Sequence, residues 1–149
     1  MSRITQLCFR IAEHLNTKAL GVPFIAERVN LKRVRLEDLR TPAVFVSPSG
    51  LSQAIVSRGD WRYEYEIDLV VCQAVQLFTL NEEDALITLA EELPMQLLDG
   101  DFGGAVLTDI EGDASRTLFD EVQLETGALF FGIISVHLIE EVTINGTSL

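Results

Sequence analysis

The 149-residue chain predicts an α+β fold: a mostly antiparallel sheet with long strands, two helices packed on one face, and an extended β-arm or loop. Three observations predict it. In Trp61–Val75, Trp61, Tyr63, Tyr65, Ile67, Leu69 and Val71 alternate with Arg62, Glu64, Glu66, Asp68, Val70 and Cys72, the period of a strand. Leu129–Val142 alternates over a similar length. Two further stretches, one near the N-terminus and one after Phe78, instead space their apolar residues by three and four, the period of a helix packed on one side.

Taken in order, Ser2 is a candidate cap for a first helix. Ile4, Leu7, Cys8, Ile11, Ala12 and Leu15 form its apolar stripe, with Arg3, Gln6, Arg10, Glu13 and His14 expected to face outward. Asn16-Thr17 and Gly21 end it. Pro23 leads into a short extended piece, Phe24–Val29. Leu31–Arg40 is a basic connector containing Lys32, Arg33 and Arg35. Thr41-Pro42 opens a strand over Ala43–Ser47, after which Ser47-Pro48-Ser49-Gly50 is expected to leave the sheet. If that strand pairs antiparallel with the next, Pro48–Asp60 becomes a long β-arm or loop. Its apolar residues Leu51, Ile55 and Val56 then need something to dock on.

The long strand over Trp61–Val75 is wet on one face at its start and apolar on both faces at its end, so it enters the core. A second helix over Thr79–Leu98 follows. Its stripe is Ala85, Leu86, Leu89, Ala90, Leu93, Leu97 and Leu98, and Pro94 interrupts it after the third turn. Gly103-Gly104 opens a strand over Ala105–Ile110, then a polar loop Glu111–Arg116 and an irregular segment Thr117–Thr126. In the final strand Ile134, Val136, Leu138 and Glu140 share one face, with Ile133, Ser135, His137 and Ile139 on the other. The order is α, β, β, β, α, β, β in a single domain over residues 1–149, with 143–149 a frayed tail.

Composition narrows the function. A hydrophobic fraction of 48% is enough for a core. No apolar run approaches the roughly 20 residues of a membrane span, and the N-terminus lacks a signal-peptide pattern, so cytoplasmic synthesis and no membrane association are expected. Cys8 and Cys72 read as reduced core residues. The net charge of −12 argues against general nucleic-acid binding. Its distribution is uneven: residues 1–62 hold ten Lys and Arg against five Asp and Glu, and residues 63–149 hold one against eighteen. Solvated faces are one reading of this split. The other is a basic edge of one copy meeting an acidic edge of the next, a heterologous contact that closes into rings or runs into filaments. The candidate subunit-interface residues are Arg28, Lys32, Arg33, Arg35 and Arg58 on one side and Glu64, Glu66 and Asp68 on the other.

Catalytic and cofactor chemistry is not predicted. His14 and His137 have no Cys or His partner at ligand spacing, so no metal site is expected. Asp99, Asp101, Asp109, Glu111 and Asp113 do not match a calcium loop and read as solvated loop acids. Ser135 and His137 share a strand face without an orienting acid. The glycines of Gly100–Gly104 serve turns, without the lysine of a phosphate loop.

Three local patterns carry a resemblance: the strand Thr41-Pro42-Ala43-Val44-Phe45-Val46; the strand YEYEIDLVVCQA with an acid-capped helix after it; and the ending TLFDEVQLETGALFFGIISVHL. With the order of elements, they make the chain resemble the tail terminator or tail completion proteins of tailed bacteriophages, small proteins of the head–tail neck. The resemblance implies a virion protein without catalysis, a hexameric homo-oligomeric ring that stops tail-tube growth and joins the tail to the head connector. Its partners would be the tail tube protein and the connector or stopper, with DNA passing through the lumen without specific binding. A head-completion or stopper role shares the architecture and stays open. So does a small-ligand-binding regulatory module with a pocket lined by Trp61, Tyr63 and Tyr65.

Overall fold

A computed structural model of the chain describes residues 2–18, 20, 24–28, 42–75, 80–113 and 128–143. Within them run α1 (Arg3–Asn16), β1 (Ile25–Arg28), β2 (Ala43–Ser57), β3 (Asp60–Val75), α2 (Leu80–Glu92), a 3-10 turn over Leu93–Leu97, β4 (Val106–Asp113) and β5 (Ala128–Thr143). The five strands form one sheet in the order β1-β2-β3-β5-β4. β1 is parallel to β2, and the other pairs are antiparallel. The α+β class and the order of elements are those the periodicities predict.

Local chemistry explains the element ends. Ser2 stands in extended backbone before α1, and its Oγ accepts from the Thr5 N–H at 3.3 Å. At the other end, the Asn16 amide donates to the Ala26 carbonyl and accepts from the Ala26 N–H, both at 2.8 Å. That side chain covers the free edge of β1 as another strand would. Pro94, lacking an N–H, marks the change from α-helix to 3-10 geometry at Leu93.

The core lies between the two helices and one face of the sheet. Leu7, Ile11 and Leu15 of α1, and Leu86, Leu89, Leu93 and Leu97, pack with Val46, Ile67, Leu69, Ile134, Val136 and Leu138. Phe45, Val70 and Cys72 are buried on the opposite face, so β3 is enclosed on both sides at its C-terminal end. Its earlier half carries Glu64, Glu66 and Asp68 on that opposite face, as the alternation predicts.

Several expectations are corrected. The chain does not leave the sheet at Ser47–Gly50. β2 runs on to Ser57, with Ser49 as the extra residue between the pairs Pro48–Ile67 and Gly50–Glu66. β1 ends opposite Val46, so beyond it β2 is an edge strand, where a proline costs no ladder bond. β4 continues to Asp113, which puts Glu111 in the sheet rather than in a loop. Leu98 is 70% exposed, because the tightened 3-10 turn rotates it out of the stripe that keeps Leu93 and Leu97 buried. Arg3 and His14 do not simply face solvent: Arg3 pairs with Glu140, and His14 Nε2 lies 2.7 Å from the Gln96 carbonyl and 3.0 Å from Asp99 Oδ1. The connector Leu31–Arg40, the segment Thr117–Thr126 and the tail from residue 144 lie outside the described residues.

Candidate functional site

β2 and β3 form a long hairpin that continues past the helices, turning at Gly59, whose φ of 86° suits a residue without a Cβ. β5 pairs with β3 out to Asp60–Thr143, so the arm has three strands. Every residue from Leu51 to Arg58 is exposed. Three of them are large and apolar: Leu51 at 52%, Ile55 at 68% and Val56 at 47%. Val142 is also exposed on this arm. The arm pins its tip by a hydrogen bond from the Ser57 hydroxyl to Asp60, and an ion pair joins Arg62 to Glu141 at 3.2 Å.

At the root of the arm, Arg3 clamps the N-terminal helix to the sheet. Its Nε and Nη2 lie 3.1 and 2.8 Å from the two Glu140 oxygens, and Nη2 also donates to the Phe102 and Gly103 carbonyls. Tyr65 donates its hydroxyl to Glu140 at 3.1 Å. The Arg3 hydrogen bond holds the Glu140 carboxyl below the usual carboxylate range, while burial, then Glu140, pushes the Tyr65 phenol up to about 12. A hollow of about 290 Å³ opens here beside Ile4, Leu51 and Tyr63. Tyr63 and Tyr65 stack along the strand at 6.2 Å, but Tyr65 is only 3% exposed and Trp61 lies further out, between Ile55 and Val142.

The face of the sheet away from the helices is acidic. Glu64, Glu66 and Asp68 follow one another along β3, with Ile139, His137 and Ser135 beside them on β5, and Val106, Asp109 and Glu111 beyond on β4. Asp68 accepts from the Ser135 hydroxyl at 3.0 Å, and Ser52 lies 3.3 Å from Glu64. A groove of about 510 Å³ crosses this face, lined by Gly50, Ser52, Glu64, Glu66, Asp109 and His137.

The candidate interface residues divide between faces. The three acids share the outward face. Arg28 pairs with Val46 on the helix side and its charge acts on the Cys8 thiol. Its Nε is buried without a hydrogen-bond partner. Arg58 is exposed at the hairpin turn. Lys32, Arg33 and Arg35 lie outside the described residues. Within one copy, then, Arg28 and Arg58 form no ion pair with Glu64, Glu66 or Asp68 among the described residues.

No protein-family model matches the chain, and no curated protein sequence matches it significantly. Two features escape a reading of the sequence. Glu140 sits on an apolar strand face like a stray polar residue, and only the fold brings Arg3, 137 residues away, against it. His137 lies opposite Asp109 through a register shift at Thr108, which no local spacing records. Cys8 and Cys72 are free and buried, with thiols raised to about 11 and about 12 by burial.

Proposed function

We propose that this protein is a structural component of a bacteriophage neck: a tail terminator whose copies form a ring, a hexamer by the family resemblance, capping the tail tube and joining it to the head connector. In this reading it is made in the host cytoplasm, works in the virion, catalyses nothing, and lets DNA pass without binding it specifically. The observation that supports it most is the three-stranded arm, which leaves Leu51 half-exposed beside Ile4 of α1 at its root and holds Ile55 and Val56 in water further out. An arm of that kind is a surface without a cover in the single chain. The separation of Arg28 and Arg58 from the acids of β3 supports a contact between unlike sides of neighbouring copies. A wall of carboxylates along a lumen would also repel phosphate and let DNA slide.

Electron microscopy of tails assembled with and without the protein tests this. A terminator leaves overlong or ragged tails when absent and appears as a ring at the tail end when present. Density on the head instead would favour a stopper role, and tails of unchanged length and shape would refute the proposal. Reversing Lys32 and Arg33 to Glu is expected to weaken assembly while the monomer stays folded; assembly that ignores both this change and a salt series would eliminate its electrostatic part.

A further inference from the structure

The outward sheet face brings one imidazole and two carboxylates together from two strands. Asp109 and Glu111 are two residues apart and point to the same side of β4, and His137 is the cross-strand partner of Asp109 on β5. The three side chains can each offer a ligand atom within 4.8 Å of the others. We propose that Asp109, Glu111 and His137 bind a divalent transition-metal ion of the zinc class. This inference does not rest on the neck reading.

The geometry suits such an ion. Metal–nitrogen and metal–oxygen bonds of roughly 2.0–2.2 Å place neighbouring ligand atoms about 3–4 Å apart, a small closure from the observed spacing. Asp109 and Glu111 are exposed and His137 half-buried, so their side chains have room to make it. The backbone of the site is fixed by the sheet. The register shift at Thr108 sets Asp109 opposite His137, the Thr108 hydroxyl donates to the His137 carbonyl at 3.2 Å, and Asp109 Oδ1 accepts from the Ile110 N–H at 2.9 Å. The other Asp109 oxygen, the Glu111 carboxylate and an imidazole nitrogen are then the donors.

The ligand chemistry selects the class of ion. An imidazole nitrogen is a poor ligand for magnesium or calcium, which take oxygen, and a good one for zinc and its neighbours. Three protein ligands leave a tetrahedral ion one open position. Electrostatics favour occupancy too. Glu66 is the partner of His137 on its other side, with Glu64 and Asp68 on the adjoining rungs, and these rungs carry no Lys or Arg. A divalent cation would relieve the repulsion among these carboxylates.

The test is equilibrium dialysis of the full chain, stripped with a chelator, against zinc chloride, with the imidazole signals followed by NMR. The chain has only two histidines, so the spectrum is simple to assign. One zinc ion per chain is expected, with the His137 signals moving and those of His14 unmoved. His137→Gln, Asp109→Asn and Glu111→Gln should each weaken binding by about tenfold or more, since even outer-shell partners of metal ligands are worth that much. Magnesium chloride should bind more weakly and should not move the His137 signals. Absence of stoichiometric zinc, binding indifferent to His137→Gln or Asp109→Asn, or zinc that shifts His14 instead would each overturn the proposal. If a variant fails to fold, the wild-type titration still decides whether zinc binds stoichiometrically and whether it does so at His137 or His14.

Discussion

Glu140→Gln removes one charge from the clamp that ties the first helix to the last strand, with little change of shape. The carboxylate takes two hydrogen bonds from the Arg3 guanidinium and one from the Tyr65 hydroxyl. The Arg3 and Glu140 side chains are 28% and 15% exposed, so the pair is neither free in water nor sealed from it. Hydrogen bonds to charged groups contribute about 1.5–3 kcal/mol each, and solvent-exposed ion pairs about 0–1 kcal/mol. A glutamine still accepts one of the Arg3 bonds, and Arg3 keeps the Phe102 and Gly103 carbonyls. The expected loss is therefore about 1.5 kcal/mol, a fall in Tm of roughly 3–6 °C for a domain of this size. The pH dependence has a definite sign. Because the Arg3 hydrogen bond lowers the folded-state pKa of Glu140, its contribution is complete above the ordinary glutamate value of about 4.3 and is lost as pH falls through the lower folded value. Thermal melts of wild type and variant should thus differ at pH 7 and converge as the acid side is approached. Arg3→Gln should destabilise similarly, and the double variant should show a coupling of about 1 kcal/mol. Equal Tm values at pH 7, or a gap that persists unchanged below the glutamate range, would refute this account of the clamp.

Leu69→Ala, at a fully buried position of β3, should cost about 3 kcal/mol through lost burial and a residual cavity. Leu98→Ala, at an exposed one, should stay within about 0.5 kcal/mol in the same urea titration. Gly104→Ala should destabilise by about 1 kcal/mol or more, read by thermal melting. Gly104 has φ +98°, and an added Cβ would lie 3.3 Å from Glu140 Oε2 at the clamp. Cys8 and Cys72 should react with a thiol reagent at pH 8 at least about a hundredfold more slowly in the native protein than in denaturant, because burial raises both thiols and suppresses the thiolate.

The fold was legible where periodicity is long and one-sided. The apolar stripe from Leu7 to Leu15 and the alternation from Tyr65 to Val71 each leave one way to bury their residues, and the structure buries them so. Legibility failed where a local signal competed with the sheet. Pro48 and Gly50 look like an exit from a strand, yet pairing with β3 costs little at a strand edge, and a one-residue bulge absorbs the misfit. Pro94 was legible as an interruption, but the rotation it imposes on Leu98 was not. The site was less legible still. Arg3 with Glu140, and His137 with Asp109, are contacts between residues far apart in sequence, set by strand order and register. Neither is encoded by spacing.

The two ends of β3 ask different things of the chain. At its C-terminal end both faces are sealed, with Leu69 and Val71 under the helices and Val70 and Cys72 buried behind. At its N-terminal end the same strand presents carboxylates on one side and a partly covered aromatic row on the other, and it lies between two strands that reach as far as it does. α1 reaches the arm only at its root, beside Leu51 and Tyr63, and the strand runs on past that point to Asp60. The outer part of the arm thus buries little within the single chain and exposes the apolar side chains of Ile55 and Val56. Truncating it at Leu51, Ile55 and Val56 to Ser should leave the urea midpoint of the monomer nearly unchanged, because none of the three is buried. If that triple change instead unfolded the protein, the arm would belong to the core, and the case for a partner on it would fall.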